Sequence, residues 1–172
     1  MAFSVGRVTR REWLGLCAGL LATGSTFLPW TVLSADTATS DVRDAFGTLP
    51  HSDVVRTAWN SDLFSWGPPL LLVLAGVAVV LFGQVRKARI SGLPQLWLVA
   101  GLATILLMVI GWTTLDWVFD SDQRAFLEAA GVTISAGVGR YAGMAFAVGS
   151  AVAAVVDIRA ARVESRASRS RR

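Results

Sequence analysis

The chain of 172 residues has one cysteine, one histidine, one tyrosine and one lysine. A lone Cys17 excludes an intramolecular disulfide and any cysteine-based metal site. His51 has no cysteine partners and makes no zinc site. Charged residues are only 16% of the chain, against about 25% in an ordinary soluble domain. Hydrophobic residues reach 53%, and the mean hydropathy is +0.55. These proportions rule out a soluble globular enzyme, a disulfide scaffold and a disordered chain. There is no phosphate loop, no HExxH, no CxxC and no pair of acids inside an apolar block. The sequence therefore predicts no enzyme activity, no cofactor and no metal.

The apolar residues gather in four blocks, each long enough for the ~20 residues a bilayer span requires. The first runs from about Trp13 to Leu33, preceded by Arg7, Arg10 and Arg11 and closed by Pro29 and Trp30. The second covers about 64–85, opens on Trp66-Gly67-Pro68-Pro69 and stops at Arg86, Lys87 and Arg89. Prolines are tolerated in a first helical turn, where the N–H groups lack intrahelical partners. The third covers about 94–115, with an uncharged core from Leu98 to Ile110. The fourth covers about 135–156, is rich in Gly and Ala, and ends at Asp157. The expected fold is all-α: a polytopic membrane protein with four transmembrane helices in a bundle. Residues 1–12 are a basic leader, 13–157 the membrane domain and 158–172 a basic tail. Neither long loop can form an independent domain at this length. Short local elements are expected in them, a helix near 52–60 and an amphipathic turn at 122–129.

Charge alternates along this plan. The leader carries a net +2, the 86–93 turn +3 and the tail from Asp157 onward +4, while the loops 35–63 and 116–130 each carry −3. Excess Arg and Lys mark cytoplasmic segments. Both termini and the 86–93 turn are therefore expected in the cytoplasm, and the acidic loops, about 34–63 and 116–134, outside a bacterial plasma membrane. A pI near 10.5 invites a nucleic-acid reading. The basic residues flank apolar spans as topology requires, so no nucleic-acid partner is expected.

Small residues recur every four positions at Gly131, Ser135, Gly139, Gly143, Ala147 and Ala151, and Gly15 and Gly19 repeat the spacing in the first block. Small residues let helix backbones approach closely in lipid. Gly15, Gly19, Ser135, Gly139, Gly143 and Ala147 are the expected helix-packing positions, serving either the protein's own bundle or association with itself or another membrane protein. Arg140 is the only charge inside an apolar block. Beside Tyr141, near the outer end of the fourth span, it is expected to snorkel to the interface and pair with lipid phosphate or an outer acid such as Asp116. The alternative is a buried functional pair. Asp116 and Asp120 straddle the end of the third span; the plain reading is a solvated loop, the other a cation site. Arg159, Arg162, Arg166 and Arg169 share one face if the last helix continues, and are expected to contact anionic lipid. Ser165, Ser168 and Ser170 among them are possible phosphorylation points that would weaken that attraction. Thr9-Arg10-Arg11-Glu12-Trp13-Leu14 looks like a twin-arginine export signal; the plainer reading is the positive flank of a first helix.

Three short motifs carry a resemblance over the whole chain: Phe27-Leu28-Pro29-Trp30, Trp66-Gly67 and Gly137-Val138-Gly139-Arg140-Tyr141. With the basic tail, the chain resembles the small four-span membrane proteins of mycobacteria and other high-GC Gram-positive bacteria. The resemblance implies architecture and lineage rather than chemistry. The cysteine pair of claudin-like proteins is missing, as is the first-span acid of small multidrug transporters. The expected function is a non-catalytic accessory or scaffolding subunit of a cell-envelope or lipid-transport complex. The alternative is a small oligomeric transporter or channel using Arg140, and a weaker one is a membrane enzyme using the outer-loop acids.

Overall fold

The structure, a computed structural model, describes residues 8–83, 92–115 and 119–170, with side chains to Arg162. The 86–93 turn, Arg7 and Asp116 thus lie wholly or largely outside the described residues, as do the side chains of Arg166, Arg169, Ser165, Ser168 and Ser170.

The chain is mostly helical. Helix α1 covers Arg10–Gly24 and begins with a capping box. The Thr9 hydroxyl accepts from the Glu12 N–H at 3.3 Å, and the Glu12 carboxylate accepts from the Thr9 N–H at 2.7 Å. The first apolar block does not stay helical to Leu33, as the sequence reading expects. Ser25 and Thr26 turn their hydroxyls back onto the carbonyls of Ala22 and Thr23. Pro29 then disfavours helical backbone at Leu28, which is extended at φ −80° and ψ 168°. The chain leaves as strand β1, Pro29–Ser34. At 15 residues α1 spans only about 22 Å, short of a ~30 Å hydrocarbon core.

Among the described residues, three helices are long and apolar enough to cross a membrane. They are α4 (Leu63–Phe82), α5 (Leu93–Thr113) and the Val138–Arg162 portion of α7 (Val138–Ser170). Helix α4 starts at its N-cap Asp62, whose carboxylate accepts from the Ser65 N–H at 3.0 Å. Pro68 and Pro69 therefore fall in the second turn, not the first. There they deprive the Phe64 and Ser65 carbonyls of helical donors. Helix α7 starts at Val138, later than expected, because Ser135 belongs to a strand, and it runs well past Val156. The Ala- and Arg-rich stretch after Asp157 favours helix on intrinsic propensity.

The four helices pack in the ring order α1, α4, α5, α7. Between them lie Ala22, Leu72, Met108 and Ala147 near one end, and Ala75, Val79, Trp97 and Ala154 near the other. Leu74, Leu81, Leu96, Leu102, Leu106, Val148 and Val152 point outward and are exposed. A belt of exposed aliphatic side chains around a packed interior suits lipid as solvent.

One end carries a cap, which modifies the all-α expectation. Strand β1 is central in an antiparallel sheet, flanked by β2 (Val55–Thr57) and β3 (Thr133–Ala136). Short helices α2 (Ser40–Gly47), α3 (His51–Val54) and α6 (Ser121–Ala129) complete it. The two loops read as outer connections thus join through β1. A second core of Leu33, Ala35, Ala38, Phe119 and Val132 lies beneath.

Candidate functional site

Arg140 lies where the cap meets the bundle. The sequence reading turns it out to the head groups; the structure turns it in, with only 2% of its surface exposed. Its guanidinium lies 5.4 Å from the ring centroid of Trp30, which is itself buried. Nη1 donates to the carbonyl of Gly111. Gly111 is in the last turn of α5, where carbonyls lack intrahelical donors and carry the negative end of the helix dipole. An arginine from a neighbouring helix therefore satisfies an acceptor that α5 cannot. Asp62, capping α4, contributes a favourable charge interaction. Asp116, the partner expected from the sequence, lies outside the described residues. Tyr141 remains exposed and meets Trp112 edge-on at 4.9 Å between centroids.

The glycines around Arg140 allow this approach. A Cβ on Gly139 would stand 2.5 Å from Trp30 and 2.7 Å from the Ser25 carbonyl. A Cβ on Gly143 would stand 2.9 Å from the Ser25 hydroxyl and 3.0 Å from Met108. Trp30 is pinned by its indole N–H, which donates to the Ser25 carbonyl at 2.7 Å. Ala147 is fully buried one turn further along. Ser135 does not share this face. It is exposed in β3, and its hydroxyl donates to the Val32 carbonyl at 3.1 Å.

A second polar cluster sits at the opposite end. Arg11 approaches the buried Asp157 at 3.8 Å. Buried Glu12 lies against Gly83, where a Cβ would come within 2.8 Å of its carboxylate. Nearby, a Cβ on Gly15 would stand 1.9 Å from the Trp97 ring, and one on Gly19 would stand 3.0 Å from the Val73 backbone. The Trp97 indole donates to the Ser150 hydroxyl at 3.1 Å, linking α5 to α7. The twin-arginine stretch is thus built into the first turn of α1. Thr-x-x-Glu was the signal that marks it as a helix start. The pairing of Arg11 with Asp157 had no local signal, since the two lie at opposite ends of the sequence.

Other expected positions take ordinary places. Asp120 caps α6, accepting from the Gln123 N–H at 2.8 Å. His51 is exposed at the start of α3, and Cys17 is exposed on α1. Arg159 and Arg162 are exposed on the continuing helix α7. Among the described residues no group of three or more His, Cys, Asp or Glu is placed to hold a metal ion.

Comparison with protein-family models, with curated proteins and with solved structures finds no match.

Proposed function

We propose that the protein is a non-catalytic integral protein of the bacterial plasma membrane, an accessory or scaffolding subunit of a cell-envelope or lipid-transport complex. In this reading α1 is a fourth, short span beside the three long ones, and both termini are cytoplasmic. The acidic loops build the cap on the outer side. The alternating loop charges support that orientation. The observation that carries the functional reading is the burial of Arg140. The one charge within the apolar blocks holds α5, α7 and β1 together through Gly111 and Trp30, a structural task. What remains for function is surface: the exposed apolar belt, the cap and the basic end of α7. Arg159 and Arg162, followed by Arg166 and Arg169, suit contact with anionic head groups, each worth about 1 kcal/mol near such a leaflet.

The test is purification of the tagged native protein in mild detergent, followed by mass spectrometry of co-purifying chains. A stoichiometric partner is expected, and it would name the pathway. A pure homo-oligomer with a transport activity that Arg140→Leu abolishes, while folding is retained, would replace this reading with the transporter or channel.

A further inference from the structure

The cap holds an open cleft of about 420 Å³ between α2 and α6. Its wall is apolar, built mainly from Leu33, Val42, Phe46, Phe119 and Leu127. Leu49 and Phe126 also line it, yet they are 45% and 72% exposed, which places apolar side chains at its mouth. Small-molecule sites occupy ~300–1,000 Å³ and combine apolar walls with a few placed polar groups. Here the placed group is Arg56, the one charged residue lining the cleft among the described residues. Its guanidinium stacks 4.8 Å over the Phe119 ring. It has no hydrogen bond and no carboxylate partner among the described residues, although the surrounding loops are acidic. A half-buried guanidinium offers five donors in a fixed fork suited to a carboxylate or phosphate.

We propose that this cleft binds a single-chain anionic amphiphile, with the acyl chain between α2 and α6 and the anionic group on Arg56. The size favours one chain over the two of a phospholipid. The mouth is apolar, as entry of a chain from a membrane or a carrier requires. A neutral hydrocarbon would leave the Arg56 fork to water alone, and a cation would meet like charge. This inference rests on the reading of the cap as a surface outside the bilayer, and not on the existence of a partner subunit. An absent partner in co-purification would count against the scaffold reading alone.

The experiment uses the full-length protein in phosphatidylcholine nanodiscs with a diazirine-bearing palmitate, mapped by mass spectrometry. Labelling is expected to saturate near one per chain and to fall on peptides of α2 and α6. Oleate should compete better than oleyl alcohol or phosphatidylglycerol. Arg56→Gln should weaken competition by oleate about tenfold and leave oleyl alcohol nearly unchanged. Ala45→Trp, a substitution at an exposed lining position, should fill the cleft and suppress labelling of both helices without lowering the melting temperature. Labelling spread only over α4, α5 and α7 would overturn the proposal. So would oleate binding that Arg56→Gln leaves intact, or phosphatidylglycerol competing as well as oleate.

Discussion

Arg140 shows how much a single buried side chain can organise. It is costly to place in a low-dielectric interior unless its donors are used and its charge is compensated. Gly111, Trp30 and Asp62 meet part of those needs from three different elements, while the buried Nε has no hydrogen-bond partner among the described residues. Arg140→Leu leaves the last-turn carbonyl of α5 without this donor, so a loss of about 1–3 kcal/mol is expected. Thermal unfolding in detergent would read it as a lower midpoint, and an unchanged midpoint would show that the clasp is unnecessary. Trp30→Ala removes the other half and opens a cavity, with an expected cost of about 3–5 kcal/mol. At the opposite end, Gly15→Ala drives a Cβ into the Trp97 ring, which is buried and tied to Ser150. Overpacking of this kind costs about 1–3 kcal/mol, again measured as a shift in unfolding midpoint.

At the scale of elements, α4 and α5 were legible because long uncharged runs end abruptly at a cap or a proline. The first block misled because hydropathy does not separate a helix from a buried strand. Phe27 to Leu33 is as apolar as the helix before it, but Pro29, Thr31 and Val32 favour extended backbone. The hydroxyls of Ser25 and Thr26 mark the change, and they act through local bonds that composition does not weigh. The same logic moved Ser135 from a helix to β3, where it pairs with Val32 in register. The inward turn of Arg140 was not legible, because its partners come from segments remote in sequence. Gly137 offers an element-level prediction. A Cβ there would stand 2.3 Å from the Pro29 carbonyl, and its N–H donates to Trp30. Gly137→Val should separate β1 from the start of α7 and expose the cap. Faster proteolysis within residues 35–62 than in the parent protein would register this; equal rates would contradict it.

At the scale of the whole molecule, the chain is a ring of four helices closed at one end by a sheet that gathers segments from both long loops. The pairing of Arg11 with Asp157 puts the start of α1 and the later part of α7 at the other end. That arrangement, with the alternating charges, gives the central claim its form: a membrane protein whose cap and whose basic tail face opposite sides. Cysteine accessibility in intact cells tests it most directly. In a Cys17→Ala background, Ser40→Cys and Gln123→Cys lie at exposed positions of the cap, and Ser168→Cys lies in the basic tail. A membrane-impermeant maleimide should label the two cap cysteines in intact cells and the tail cysteine only after permeabilisation. Labelling of the tail before permeabilisation, or of cap and tail alike, would contradict the account.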